Sequence, residues 1–400
     1  MALPPPLLTR HTTVVPGIER LLTRDRALVA ARRVGLVCNP SSVDSQLRHS
    51  ADLLRETPDV TLTAIFGPQH GFRSDLQDNM IETPHARDAR RAVPVYSLYS
   101  ETREPTLEML QDVDVLVIDL QDVGTRVYTY IYTMANCMRA AARHGVPVVV
   151  CDRPNPIGGE AVEGAALEPP WTSFVGQFPI PMRHGMTMGE LARLFNDAFG
   201  IGARLDVAPL EGWRRSMYFD ETGLPWILPS PNLPTLDSVV VYPGAVLVEG
   251  TMLSEGRGTT RPFELIGAPW IDAERLADAM NARALPGVRF RPVRFEPTFQ
   301  KHARITCGGC QLHVLDRRGF EPVRTAVELI AESRRQDSAR FAWRDPPYEY
   351  EHDKPPIDIL YGSDRLRTTV DAGGDVSALV AEWKRDEDEF RRLRERYLLY

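Results

Sequence analysis

Cysteine is scarce in this 400-residue chain. The five present, Cys38, Cys137, Cys151, Cys307 and Cys310, are odd in number and scattered, which is not how a disulfide framework is spaced. Cys307-Gly-Gly-Cys310 has the spacing of metal ligands, and His302 and His313 flank it. A zinc site needs four ligands and no second pair follows, so the reading is two small residues at the ends of a glycine turn between strands, with no metal. No run approaches the roughly 20 apolar residues that span a bilayer. The opening "MALPPPLLTRHTTVVPGIERLL" has no basic stretch leading into an apolar one, because prolines and Arg10, His11 and Thr12 interrupt it. A cytoplasmic protein without a membrane partner is therefore expected. Basic charge is not in surplus either: 47 Lys+Arg face 54 Asp+Glu, a formal net charge of −7, and no basic tail offsets it. That argues against a nucleic-acid partner. The glycine patterns of dinucleotide and P-loop sites, the H-E-x-x-H helix and the G-x-S-x-G elbow are all missing, so nucleotide cofactors, zinc proteolysis and serine-hydrolase chemistry fall away and no cofactor is expected.

What the chain does have is an ordinary globular composition, 43% hydrophobic and 25% charged, and length enough for two domains. Short β-branched runs alternate with amphipathic stretches over the first 150 residues, the order of βαβ units. "RVGLVCN", "VTLTAIF", "VPVYSLY", "VDVLVIDL" and "VPVVVCD" read as strands. "SQLRHSADLLRE", with Leu47, Ala51 and Leu54 on one face, and "GTRVYTYIYTMANCMRAAARHG", stopped by Gly145, read as helices. The fold class expected is α/β, a Rossmann-like doubly wound sheet over residues 1–232 with a second, smaller α/β domain over 233–400. The proline-rich "LPWILPSPNLPTLDS" serves as connector. Beyond it the pattern predicts a strand at "VVVYPG", helices near Ala273–Ala284 and Val323–Arg335, a strand-like "ARITCGGCQLHVLD" and a terminal helix with Leu379, Trp383, Phe390 and Leu393 facing the core.

Ligands of such sheets bind beyond the carboxyl ends of the strands. Four polar loops fall there: Asn39-Pro-Ser-Ser42, Gly67-Pro-Gln-His-Gly71, the Asp119–Arg126 loop and Asp152-Arg-Pro-Asn-Pro156. Asp119 ends an apolar strand and needs a partner for its charge, with Arg126 and Arg153 at hand; the pairs either serve a site or tie loops together. Tyr128 and Tyr130 read first as packing at the helix start. His70 and His184 sit in glycine-bounded loops. In "VEGTMLSEGRGTTRPFE", Glu249, Glu255 and Glu264 share a glycine-rich loop with Arg257 and Arg261, as salt bridges or as a pocket wall.

Taken together, "GLVCNPSSVD", "IFGPQHGFRSD", "VDVLVIDLQDVGTRVYTYIYTM", "VCDRPNPIGG", "MRHGMTMGELA", "PSPNLPT", "YPGAVLVEGT", "SEGRGTTRPFELIGAPW" and "RERYLLY" resemble the NamZ, or YbbC-like, exo-β-N-acetylmuramidases, formerly the DUF1343 family. The resemblance runs in order from about Gly35 to Tyr400. It implies a Rossmann-like domain and a smaller α/β domain with a cleft between them, and hydrolysis of terminal, non-reducing N-acetylmuramic acid from peptidoglycan fragments during cell-wall turnover. It also implies a catalytic glutamate where this chain has Gln69. Glutamine can neither donate an acid proton nor act as a base at neutral pH. The missing role is then to be sought in Asp119, Asp122, Glu249 or Glu264, in His70, or in the sugar's own 2-acetamido group. His70, Asp119, Asp122 and Glu249 are the catalytic candidates. Asn39, Gln69, Arg73, Arg126, Tyr128, Arg153, Asn155, His184, Asn232, Arg257 and Glu264 are the substrate-binding ones. Arg73, Arg126, Arg153 or Arg257 would pair with the lactyl carboxylate of muramic acid. The partner expected is a small carbohydrate or muropeptide, and the sequence does not speak to oligomeric state. A catalytically silent sugar-binding protein on the same scaffold is the alternative that Gln69 suggests.

Overall fold

A computed structural model describes residues 14–77 and 80–400. The reading of the first residues as free of an export signal falls mostly on 1–13, outside the described residues. Among the described residues no helix is long and apolar enough to cross a membrane.

Strands β1 (Arg32–Cys38), β2 (Val60–Gly67), β3 (Ala86–Asp88), β4 (Val93–Ser97), β5 (Val115–Asp119) and β6 (Val148–Cys151) come first. A hairpin of β7 (Glu163–Ala166) and β8 (Pro181–Arg183) follows, and then β9 (Leu205–Ala208). The main sheet runs β3-β4-β2-β1-β5-β6-β9, parallel except for the edge strand β3. Counted along the chain, the parallel strands stand in the order 3-2-1-4-5-6, the doubly wound arrangement, with its switch point between β1 and β5. The strands are apolar on both faces because both are covered. Val34, Leu36, Val115 and Val117 join one core with the helices at Gly17–Thr23 and Ser50–Glu56. Val37, Leu116, Ile118 and Val150 join another with the helices at Tyr130–His144 and Met188–Asp197. This second core continues without a break through Leu247, Ile266, Leu329 and Ile359 into the C-terminal part.

That part carries a smaller antiparallel sheet of β10 (Leu265–Ala268), β11 (Val288–Phe295) and β12 (Cys307–Val314), with β12 in the middle. The helices Ala273–Ala282, Pro322–Gln336 and Val376–Arg394 accompany it.

Four expectations are corrected. "VVVYPG" lies in a helix, Leu236–Ala245, capped by the Thr235 hydroxyl, which accepts from Ser238 N. A short apolar run buried on all sides has no periodicity that separates strand from helix. The helix expected from Ser45 starts at Ser50; Leu47 sits in a left-handed turn, φ 64°, and is 55% exposed. The stretch Gly124–Thr129 is a loop ahead of the Tyr130–His144 helix. Cys307 and Cys310 lie within β12, not at a turn, and three residues apart they belong to different clusters on opposite faces. The glycines between them let strands approach closely: a Cβ on Gly309 would stand 2.1 Å from Ile266 O. Among the described residues no group of three His, Cys, Asp or Glu side chains gathers as a metal site.

Candidate active site

The loop after β2 turns back sharply. His70 and Gly71 both adopt left-handed backbone, φ 68° and 78°, and the turn sends Gln69 and His70 toward the start of the Tyr130–His144 helix. There Thr129 Oγ1 donates to Gln69 Oε1 at 2.7 Å, which fixes the amide so that its Nε2 faces Tyr99 Oη (3.1 Å) and Glu349 Oε1 (3.2 Å). Tyr99 Oη in turn donates to Glu349 Oε2 at 2.8 Å. Asn39, in the loop after β1, braces this floor from below by donating to Tyr130 Oη (2.9 Å) and Pro229 O (2.8 Å).

The opposite wall comes from the 249–263 segment. Arg257 donates to Glu249 at 2.6 Å and lies 3.3 Å from Glu255, which Lys301 also pairs at 2.7 Å. Tyr348 Oη donates to the other Glu249 oxygen at 2.9 Å. Between the walls is a small pocket of about 40 Å³, bordered by Gln69, His70, Tyr128, Glu249, Arg257 and Glu349. Asn232 also borders it and is held by donating to Gln77 O at 2.8 Å. The Tyr128 hydroxyl is buried there without a hydrogen-bond partner at bonding geometry among the described residues.

Two carboxyls of this pocket are driven apart. Burial disfavours charge on Glu249, but the Arg257 guanidinium and the Tyr348 hydroxyl outweigh it and hold the group below the usual carboxylate range. Burial pushes Glu349 up, and the negative Glu249 adds to the rise, while hydrogen bonds from Tyr99 and Gln69 work against it. His70 is pushed down to about 4 by burial and then by Arg257. It is therefore a neutral imidazole at neutral pH. With Nδ1 donating to Leu76 O at 2.9 Å, its Nε2 is an acceptor and not an acid.

Of the residues expected at the site, Gln69, His70, Tyr128, Asn232, Glu249 and Arg257 border this pocket, and Asn39 supports it. The others are placed elsewhere. Asp119 is clamped by Arg153, at 2.6 and 2.9 Å, and by the Ser50 hydroxyl. Arg153 also donates to Val43 O (2.8 Å), so this pair ties loops together. Asp122 accepts from Gly124 N at 2.7 Å and lies 3.2 Å from His184 Nε2, while His184 Nδ1 accepts from Met186 N. Asn155 donates to Met186 O (3.0 Å) and accepts from Ile157 N (3.1 Å). Arg126 is fully buried and donates to four carbonyls, of Ala165, Ile180, Leu360 and Tyr361, at 2.7 to 3.0 Å. Glu264 faces Arg261 near another surface groove. Arg73 is exposed and borders a neighbouring cavity of about 400 Å³ with Phe72, Thr83 and Tyr96.

Sequence reasoning passed over Tyr348 and Glu349. Their signal was available in "PPYEYE", Pro346–Glu351, where acids and aromatics alternate directly after a pair of prolines.

Comparison with known proteins agrees along nearly the whole chain. Residues 34–237 match the model of the N-terminal domain of exo-β-N-acetylmuramidase NamZ, and residues 240–400 match that of its C-terminal domain. The peptidoglycan β-N-acetylmuramidase NamZ of Bacillus subtilis (strain 168) is 47% identical over 388 residues, 97% of this chain and 91% of the relative. The crystal structure of a DUF1343 family protein from Bacteroides fragilis superposes with a TM-score of 0.89 at 37% identity, over 98% of this chain and 100% of that one. Another protein of the same family and species reaches 0.76 at 28% identity, over 97% and 99% of the two chains.

Proposed function

The chain belongs to the NamZ family of exo-β-N-acetylmuramidases, and we propose that it hydrolyses the bond holding a terminal N-acetylmuramic acid to a peptidoglycan fragment, in the pocket between Gln69 and Glu249. The observation that carries this placement is Glu249: an ionised carboxylate, buried, held by Arg257 and Tyr348, and open to a cavity rather than closed into a strut. Such a group can stabilise the positive charge that develops at the anomeric carbon. Gln69 binds and orients, since an amide has both a donor and an acceptor and no proton to give. Arg257 borders the pocket and Arg73 lies just outside it, so these two of the four arginines remain partners for the lactyl carboxylate.

The test is turnover of a chromogenic β-N-acetylmuramide against the β-N-acetylglucosaminide that lacks the lactyl ether. Release from the muramide alone is expected; equal release from both would remove the lactyl preference. Gln69 also motivates a second reading, a silent muropeptide-binding protein. It predicts that the wild type binds the muramide without cleaving it and that Gln69→Glu alone confers turnover.

A further inference from the structure

Glu349 is held in place by an unusual piece of backbone. Tyr348 and Glu351 close a tight turn, with Tyr348 N and Glu351 N each donating to the other's carbonyl at 3.0 and 2.9 Å. Both central residues are left-handed, Glu349 with φ 45° and Tyr350 with φ 70°. Such positions favour glycine or asparagine, and a glutamate followed by a tyrosine is strained there. The turn holds Glu349 inward, where it is 3% exposed and borders the same pocket as Glu249. Its carboxyl makes no ion pair among the described residues. Tyr99 and Gln69 touch it, Glu249 faces it, and Arg103 lies behind Tyr99, its guanidinium 4.6 Å from that ring and 4.1 Å from the ring of Tyr350. An acid buried without a cation is most stable with its proton on.

We propose that Glu349 is the acid that protonates the departing glycosidic oxygen, taking the role for which position 69 supplies only an amide. The inference rests on the muramidase reading above. In the step, the Glu349 proton passes to the glycosidic oxygen as the bond from that oxygen to C1 breaks. The electron pair leaves with the alcohol, and Glu249 stabilises the cationic C1. Water then supplies hydroxide to C1, and its remaining proton returns to the carboxyl pair, so one water is consumed and the enzyme is restored. Gln69 is a positioning residue here: fixed by Thr129, it holds the acid toward the pocket.

The alternative is that Glu349 merely pins the hairpin to Tyr99. The two are separated with the full chain and two β-N-acetylmuramides, one with a 2,4-dinitrophenyl leaving group that departs without help and one with a phenyl group that needs a proton. Glu349→Gln should lower kcat/KM about 10²- to 10⁴-fold on the phenyl substrate and less than about tenfold on the dinitrophenyl one, with the alkaline limb of the pH profile lost. Equal loss on both, or loss on neither, with an active wild type overturns the inference alone. A wild type that cleaves neither substrate overturns the muramidase reading and this inference with it. Should Glu349→Gln lose its cooperative melting transition, Tyr99→Phe serves instead. It removes a hydrogen bond that favours the charged carboxylate, so the alkaline limb should move up in pH, and an unmoved limb counts against the proposal.

Discussion

Two buried carboxylate–arginine pairs in this molecule have the same contact distance and opposite uses. Asp119–Arg153 and Glu249–Arg257 both close at 2.6 Å. Around Asp119 the remaining valences are filled by the Ser50 hydroxyl and by a second bond from the same arginine, whose other contact is a backbone carbonyl. Around Glu249 the second oxygen takes a tyrosine hydroxyl, the arginine faces a further acid, and a cavity stands alongside with a second carboxyl drifting the opposite way. A buried ion pair is thus no sign of a site by itself. The signs are unfilled space and a neighbour whose protonation state is being pulled apart from its own.

The comparison breaks most sharply at the two acids. Glu249→Gln should lower kcat/KM by about 10³-fold or more while leaving the melting transition nearly in place, because Arg257 keeps Glu255 as a counter-charge and the amide oxygen keeps the Tyr348 contact. Loss of stability without a matching loss of rate would reverse the assignment of the two pairs. Asp119→Asn should do the converse: leaving Arg153 buried without its counter-charge costs about 3 kcal/mol in denaturant unfolding, with kcat/KM of the folded protein unchanged.

Gln69→Glu sharpens the comparison from the other side. It sets a third carboxyl at the 3.2 Å contact with Glu349, and like-charge repulsion should reduce turnover about tenfold. A gain in rate would instead mark position 69 as the missing acid.

The smallest effect concerns His70. Its folded pKa of about 4 lies below the ordinary value near 6.5, so between these limits the unfolded chain binds the extra proton and stability falls as pH drops through that window. His70→Gln should flatten this acid loss by roughly 1–3 kcal/mol. Unfolding curves at pH 7 and pH 4.5 give the difference, and an identical slope in both proteins would place His70 outside the buried wall.

The sheet was legible because its β-branched runs of five to eight residues, each ending in a polar loop, alternate with amphipathic stretches in the order of βαβ units. From the sheet followed the edge at which Asn39, Gln69 and His70 gather. Which polar groups on that edge face a cavity was not legible. Asp119 and Glu249 look alike in sequence, each an acid with arginines nearby, and only packing shows that Ser50 and Val43 have closed around one of them. Glu349 was missed because its significance is a contact with Gln69, 280 positions away, and a turn conformation that its residue types do not favour. The helix at Leu236–Ala245 was misread because burial on every side erases the periodicity that sequence reading depends on.

The volume of the pocket has a kinetic meaning. At about 40 Å³ it has room for a water or two, far below the roughly 300–1,000 Å³ of cavities that take small ligands. A sugar ring does not fit that space, so binding the muramide there requires the pocket to widen. The affinity measured is then the intrinsic one less the cost of widening, and a substitution that loosens the Tyr348–Glu351 turn is expected to tighten muramide binding while slowing the chemistry.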